Sequence, residues 1–435
     1  MKKANLINPK GLLILLMFTV STALLAQTNI KLMCYNVLNY PTGNIAGRVD
    51  TLRNIIDYYR PDLLMLQELK TEQGLVDTRS MMNEIGYGAF DNAPYVPQQS
   101  NPFSDFPLQQ SIIYNTEIFG LAEDNLILTE VRDINYYKLW LKSENLLQGA
   151  DTTFLHVFVT HLKSSTGGEN EQLRLQMVQQ FKSYINNNLD SDDLIIIAGD
   201  FNIYNSSEPA YIELTGSSGG INMVDPLAEL GNWSGSSFPH KEILTQSTRS
   251  SQYAGDGAGG GVDDRFDFIM FSPSIMQLFG DLVYVNDSYK SLGNNGECYN
   301  QSITSCIAGN EVPADVIRSI YYMSDHIPVV SELSTPLALS TAGEITKTNT
   351  QINFPKGNTF DQQILVAIVG NGASNCEYRI CDRTGSIVSQ GKILNSGQNH
   401  QILIPSEHFA QGIYFIYLVK DSFVTTSAKF AVLHP

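Results

Sequence analysis

Between residues 30 and 333 the chain alternates short apolar runs with longer amphipathic stretches. Residues 30–35 alternate in polarity, the period of a half-buried strand, and end at Asn36. Residues 46–59 place Val49, Leu52, Ile55, Ile56 and Tyr59 on one helical face, and Pro61 stops the helix. Leu63 to Leu66 reads as a buried strand ending at Gln67-Glu68, and Ser111 to Tyr114 as another short strand. Phe154 to Thr160 leads to His161, Glu169 to Asn186 reads as a helix, and Leu194 to Ala198 leads to Gly199-Asp200. Phe266 to Met270 and Ile327 to Leu333 complete the series. Such strand–helix–strand alternation predicts α/β layers. Extra strands between 126 and 160 predict mixed rather than parallel sheets.

The pattern changes further on. Residues 335–350 are rich in Ser and Thr and predict a linker. Beyond it come short strands and turns with no helical period: Gln363 to Val369, Glu377 to Cys381, Gln401 to Ile404, Ile413 to Val419 and Ala428 to Val432. These predict a small β-sandwich. Ser250 to Gly261 is rich in Gly and Ser and reads as a flexible loop; it lacks the Lys-Ser/Thr ending of a phosphate-cradling P-loop.

The apolar strands share one feature: several end in carboxylate, amide or imidazole. Open α/β sheets collect active-site groups at strand ends, and this set of types suits a hard cation and a phosphate ester. Glu68 is the leading metal ligand, because an unpaired carboxylate at a strand end must face water or a cation. The Asn36 amide can position phosphate or metal-bound water. His161 can donate to a phosphoryl oxygen as charge develops, with Lys163 assisting. Asp200 and Asn202 are two apart, so an extended chain projects both to one side; Asp200 can orient or deprotonate a water, and Asn202 can hold phosphate. Asp267 alternates with Phe266 and Phe268 and is placed to orient His326. Arg265 is either a phosphate contact or the ion-pair partner of Asp264. Asp325 and His326 are adjacent, so one can hold metal while the other reaches phosphate. His156, inside its strand, reads as structural. No Gly-x-Ser-x-Gly elbow is present, which argues against a serine hydrolase.

Bulk properties narrow the picture. Apolar residues are 43% and charged residues 16%, as in a globular protein with a large core. The formal charge of −17 argues against a broad basic nucleic-acid surface and for dependence on salt and divalent cation. Lys2, Lys3 and Lys10, the apolar run Gly11 to Val20 and the small residues from Ala23 to Ala26 make residues 1–26 an expected signal peptide, too short to span a bilayer comfortably. Export permits a Cys298–Cys306 bridge, and Cys376 with Cys381 form a second candidate pair. Cys34 reads as a buried thiol, and no Cys/His spacing fits zinc.

Taken in order, Tyr35-Asn36-Val37, Gln67-Glu68, Gln110-Ser111-Ile112-Ile113-Tyr114, Thr160-His161-Leu162, Gly199-Asp200-Phe201-Asn202, Asp264 to Ile269 and Ser324-Asp325-His326-Ile327-Pro328 resemble the endonuclease/exonuclease/phosphatase superfamily, the deoxyribonuclease I-like fold. The resemblance covers roughly residues 28–334. It implies a four-layer α/β sandwich over residues 27–335, with two packed mixed sheets flanked by helices. It also implies Mg²⁺- or Mn²⁺-dependent cleavage of a phosphate ester, with Ca²⁺ as a further option. By position, Glu68 resembles the metal ligand, with Asn36 and Asp325 close by. Asp200 resembles the residue aligning the water, and Asn202 its phosphate-holding neighbour. His161 and His326 resemble the histidines around the scissile phosphate, and Asp267 the partner of His326. The Thr245 to Arg249 and Asp264 to Ile269 segments look most like secreted bacterial nucleases. The alternatives on the same scaffold are a phospholipase or sphingomyelinase, a phosphomonoesterase, or a non-catalytic adhesion module. After a linker over 336–355, residues 356–435 resemble the C-terminal sorting domain of Bacteroidetes type IX secretion cargo, through Asp382-Arg383-Thr384-Gly385, Gly412-Ile413-Tyr414-Phe415 and Lys429-Phe430. That resemblance implies a cell-surface or secreted protein with the secretion machinery as partner, while the likeness of the catalytic region to nucleases implies nucleic acid as the expected substrate.

Overall fold

The computed structural model describes residues 28–337 except 102–103, 105–106, 144–145, 147–151, 217–219 and 278–279, then 339, and 351–433 except 358, 361–362, 370–375, 383–386, 394–398, 408 and 421–422. The expected leader, residues 340–350 of the linker region and Arg383-Thr384-Gly385 lie outside the described residues.

The chain opens with β1 (Thr28–Tyr40), α1 (Arg48–Tyr59), β2 (Leu63–Leu69), α2 (Glu72–Ile85), β3 (Phe90–Asn92) and β4 (Gln109–Asn115). Next come β5 (Phe119–Ile127), β6 (Ile134–Leu141), β7 (Phe154–His161), α3 (Gly168–Asn188), β8 (Leu194–Asp200) and α4 (Pro209–Thr215). The region closes with β9 (Asp267–Phe271), β10 (Val283–Tyr284), β11 (Lys290–Ser291), α5 (Ala314–Met323) and β12 (Val329–Thr335). One sheet has the order β10-β12-β1-β2-β4-β3, with β11 also on β12; the other runs β5-β6-β7-β8-β9. Each is mixed: β1 and β2 are parallel, as are β7 and β8, while β12 and β9 run antiparallel to their neighbours.

Strand alternation explains the layers. Ile30, Leu32 and Cys34 of β1 and Leu63 and Met65 of β2 pack in one core with Leu155, Val157 and Val159 of β7, Ile196 and Ala198 of β8, and Ile269 and Phe271 of β9. The intervening side chains point the other way, as a two-residue period demands. Met33 and Tyr35 meet Leu52, Ile55 and Ile56 of α1, and Phe158 and Ile197 meet Met177, Val178 and Phe181 of α3. The result is helix, sheet, sheet, helix: the expected four-layer sandwich.

The α1 face differs from expectation at its start. Val49 is exposed and Arg48 is buried, because the Arg48 guanidinium donates to the Val37 carbonyl and, at 3.0 Å, to the Met323 carbonyl. Helix propensity and pattern missed α2, whose Gly74 and polar residues blur the stripe. The sequence reading also passed over α5, although Val316, Ile317, Ile320 and Met323 repeat at helical spacing and are buried.

The C-terminal part is all β, with β13 (Gln351–Asn353), β14 (Thr359–Phe360), β15 (Gln363–Val369), β16 (Cys376–Asp382), β17 (Ile387–Ile393), β18 (Asn399–Pro405), β19 (Gly412–Lys420) and β20 (Phe423–Val432). Its sheets, β13-β15-β18 and β14-β20-β19-β16-β17, enclose a separate core that includes Ile364, Val366, Ile380, Ile404, Ile416 and Phe430. Cys298 and Cys306 form the expected disulfide. Cys376 and Cys381 do not bridge each other: both lie on β16, and an extended strand holds residues five apart roughly 16 Å from one another.

Candidate active site

Strand direction gathers the polar residues at one edge of the sandwich. β1 and β2 are parallel, with Asn36 opposite Gln67, so Asn36 and Glu68 emerge at the same carboxyl end. β7 and β8 are parallel, with His161 opposite Asp200. β9 runs against β8 and therefore begins at this edge, with Asp267 opposite Asp200. β12 runs against β1, so Asp325 and His326, just ahead of it, return to the same edge. Gly199 makes the His161–Asp200 pairing possible: its φ is +153°, and a Cβ there would lie 1.8 Å from the Thr160 carbonyl oxygen. The Gly of Gly-Asp-Phe-Asn is thus a close-approach glycine.

Asp200 Oδ2 sits at the centre. It accepts from Asn36 Nδ2 at 3.1 Å and lies 3.4 Å from His161 Nε2 and 3.6 Å from His326 Nε2. Asn36 Nδ2 also donates to Glu68 Oε1 at 3.1 Å, and the Asn39 N–H donates to Glu68 Oε2 at 3.1 Å. Asp267 Oδ2 lies 2.7 Å from His326 Nδ1. Oxygen or nitrogen atoms of Glu68, His161 and Asp200 fall within 4.8 Å of one another, as do those of Asp200, Asp267 and His326. Glu68 (φ 62°) and Asn202 (φ 52°) both occupy the left-handed region. That conformation is strained for a glutamate, and strain of this kind clusters where geometry serves function.

Other side chains hold this edge in place. Ser324 Oγ donates to the Asn36 carbonyl at 2.7 Å and accepts from the His326 N–H at 3.1 Å, which joins the first and last motifs. Thr245 Oγ1 accepts from the N–H groups of Phe266 and Asp267. The Ala258 N–H donates to Asp325 Oδ2 at 2.6 Å, so this part of the Ser250–Gly261 loop borders the site. Gly257, at φ +76°, permits that approach; a Cβ would come 3.0 Å from Asp325 Cγ.

Burial and mutual charge set the electrostatics. Burial pushes the Asp200 carboxyl up to about 7, with Asp267 and Glu68 adding to the rise and His326 opposing it. Burial likewise raises Glu68, and the Asp325 charge adds to it. Burial, then Arg132 and His326, lower His161 well below the imidazole range. Burial also disfavours charge on His326, but Asp267 and Asp200 overcome it and raise His326 well above that range. Crowded carboxylates that resist ionisation are what a cation would relieve, and their hard oxygens fit a divalent ion.

Most expected site residues converge here; some differ in detail. Asn36 turns its Nδ2 toward the carboxylates while its Oδ1 accepts from the Leu38 N–H, so as placed it bridges Glu68 and Asp200 and offers no oxygen between them. Asp325 faces Ala258 and Gln246 and stands outside both three-residue clusters. Asn202 Nδ2 donates to the Leu162 carbonyl at 3.3 Å, and its N–H donates to Asp200 Oδ1 at 3.0 Å. Lys163 is half-buried at the rim, with Nζ on the Ser164 carbonyl. Arg265 is a correction: it is fully buried, forms a bidentate ion pair with Asp225 at 2.8 and 2.9 Å, and reaches neither a phosphate site nor Asp264. It precedes the strand and packs its guanidinium over the rings of Phe268 and Trp233. His156 is buried and bonded to Tyr136 Oη, as the structural reading expects.

Two residues at the site escaped the sequence reading. Arg132, half-buried, donates from Nη1 to the Leu162 carbonyl at 3.0 Å, and the Glu68 and Asp200 charges favour its charged form against burial. Gln246 reaches His326 and Asp325. Neither sits at the end of an apolar run, the signal that found the others.

The profile of the Endonuclease/Exonuclease/phosphatase family matches residues 33–326. Among solved structures, the human Nocturnin catalytic domain is 17% identical, with 71% of this chain and 94% of that one covered at a TM-score of 0.43. D. rerio TDP2 complexed with single strand DNA product is 16% identical, with 71% and 100% covered at 0.43. An endonuclease/exonuclease/phosphatase from Beutenbergia cavernae is 10% identical, with 93% and 99% covered at 0.42. No curated protein matches the sequence.

Proposed function

This chain belongs to the endonuclease/exonuclease/phosphatase family, and on that footing we propose that it is a divalent-metal-dependent phosphodiesterase acting on nucleic acid outside the cell. The observation that carries the proposal is the convergence of Glu68, His161 and Asp200 on one point, with the Asp267–His326 pair on the same Asp200 oxygen.

Glu68 and Asp200 would hold the cation, Mg²⁺ or Mn²⁺, with Asn36 keeping the two carboxylates together and Asp325 adding negative charge at the next distance. The bound ion supplies charge neutralisation for a phosphate oxygen. Asp200, ionised once the cation offsets the neighbouring carboxylates, would orient the attacking water and accept its proton. His326, fixed by Asp267, hydrogen-bonds the phosphoryl group, and His161 stands on the opposite side of Asp200. Asn202, Lys163 and Arg132 line the approach to the phosphate. The disulfide supports an oxidising compartment, and the separate two-sheet C-terminal part suits a sorting module. No helix of the described residues is long and apolar enough to cross a membrane. The charge of −17 favours a lipid or monoester substrate over nucleic acid as the second reading.

Mg²⁺-dependent cleavage of DNA or RNA, abolished by EDTA, is the expected result when duplex DNA, RNA, sphingomyelin and a panel of phosphate monoesters are compared. Turnover confined to sphingomyelin or monoesters would move the protein to the second reading, and inertness toward all four would end the hydrolase reading.

Metal binding should also depend on pH. Asp200 is raised to about 7 and burial raises Glu68 in the same direction, so below about pH 7 Asp200 holds a proton that a cation must displace. The Mg²⁺ concentration for half-activation should therefore fall as pH rises from 6 to 8, roughly tenfold if a single proton is displaced across one pH unit of that range. Glu68→Gln should raise it at every pH. Titration of activity with Mg²⁺ at fixed ionic strength measures both.

A further inference from the structure

Gln246 is the one residue of Thr245 to Arg249 that is not buried. Its backbone is fixed on both sides: the N–H donates to the Asp264 carbonyl at 3.0 Å, and the carbonyl accepts from the Asp263 and Asp264 N–H groups at 2.8 Å. The neighbouring Thr245 carbonyl accepts from Ile327 N–H at 2.7 Å, and Thr248 N–H donates to the Asp325 carbonyl at 2.9 Å. The segment is thus laced between the approach to β9 and the approach to β12, and its half-exposed amide is presented to the pocket.

Gln246 Nε2 lies 2.6 Å from His326 Nε2 and 3.3 Å from Asp325 Oδ2. Asn36 Nδ2 lies 3.4 Å from the same His326 nitrogen. Three nitrogens therefore face a common point beside the Asp200 carboxylate. The two amide N–H groups and the Nε2–H of a charged His326 are all donors, so they cannot satisfy one another. An anionic oxygen with several lone pairs satisfies both amides and the imidazole together.

A purely structural role does not account for this placement. Asp267 already orients the His326 ring at 2.7 Å, Ser324 Oγ holds its main chain at 3.1 Å, and Ala258 N–H holds the Asp325 carboxylate at 2.6 Å. We propose that Gln246 is a catalytic residue: its Nε2 amide donates to a non-bridging oxygen of the scissile phosphate beside His326, as that oxygen gains charge. The inference rests on the hydrolase reading above and deepens it.

The test uses the full chain with Mg²⁺ and bis(4-nitrophenyl) phosphate, a phosphodiester with no recognition elements of its own. Removing one donor to a developing oxyanion lowers turnover by about 10²-fold or more. Gln246→Ala should lower kcat by roughly that factor, with KM changed less than about threefold. The Mg²⁺ requirement and melting temperature should stay at wild-type values. Gln246→Asn, which keeps the amide on a shorter stem, should regain part of the loss, and Gln246→Glu, which points a carboxylate at the phosphate, should not. A Gln246→Ala kcat within about threefold of wild type overturns the proposal, and so does a loss that tracks a raised Mg²⁺ requirement or a lowered melting temperature. Wild-type cleavage that disappears in His326→Ala while Gln246→Ala stays active overturns this inference alone. A wild-type protein inert toward every ester tested overturns the hydrolase reading, and this inference with it.

Discussion

His326→Ala should lower phosphodiester turnover by about 10³-fold, within the range expected for removing a positioned acid–base or hydrogen-bonding side chain. The imidazole is the hub between two carboxylates. Its Nδ1 meets Asp267 Oδ2 at 2.7 Å, and its Nε2 lies 3.6 Å from Asp200 Oδ2. Those two charges are what raise its pKa against burial, so it enters the reaction charged over most of the neutral range. Truncation removes the positive group next to the phosphate and also strands Asp267, whose other oxygen, Oδ1, has no hydrogen-bond partner. Thr245 Oγ1 still holds the Phe266 and Asp267 N–H groups, so the fold should survive. Free imidazole, filling the space left by the ring, should restore a measurable fraction of activity. Asp267→Asn, which keeps the ring but loses the charge that orients it, should cost less than His326→Ala. The check is kcat for the three proteins with Mg²⁺, with near-wild-type melting as the control. Near-wild-type turnover in His326→Ala would remove the assignment of this site.

The sequence was most legible where an apolar strand ends abruptly. Glu68, His161, Asp200 and Asp267 stand at or next to the ends of strands, Asn36 stands where the regular pairing of β1 with β2 stops, and the strand directions bring them to one edge. Arg265 shows the limit of that reasoning. It sits in the same motif, two residues from Asp267, but precedes the strand and packs on Trp233 and Phe268, where Asp225, far from it in sequence, neutralises it. A buried arginine and a phosphate-binding arginine look alike in a string of letters, because the partner comes from a distant loop. Arg132 and Gln246 were missed for the complementary reason. Arg132 precedes its strand, and Gln246 lies in a segment with no periodicity, so neither is announced by a run of apolar residues. Within the Ser250–Gly261 segment nothing in the sequence signalled that Gly257 and Ala258 pack against Asp325, because that partner lies far along the chain.

Asp200→Asn should abolish most turnover and, without metal, make the protein more stable at alkaline pH. The sign follows from the folded-state pKa. Asp200 titrates near 7 in the fold against 3.8 for the free side chain, so the folded state holds a proton that the unfolded chain has lost across that window. Stability therefore declines as pH rises from about 4 to about 7, and the penalty is fully present above it. A shift of that size corresponds to roughly 4 kcal/mol disfavouring the buried charge. Asparagine keeps the shape without the charge, but its single carbonyl oxygen cannot accept from both Asn36 Nδ2 and the Asn202 N–H, and the donor left unpaired offsets about 2–3 kcal/mol. The net expectation is a gain of about 1–2 kcal/mol, a rise of a few degrees in melting temperature for a domain of this size. The gain should appear at pH 8.5 in EDTA and shrink toward pH 5, where the wild-type carboxyl is already neutral. Saturating Mg²⁺ should reverse the order, because the carboxylate that destabilises the metal-free fold is one that holds the ion. Melting curves of both proteins at the two pH values, with EDTA and with Mg²⁺, decide the matter. If Asp200→Asn is less stable than wild type at pH 8.5 in EDTA, the carboxylate is satisfied within the fold, and the case that it waits for a cation fails.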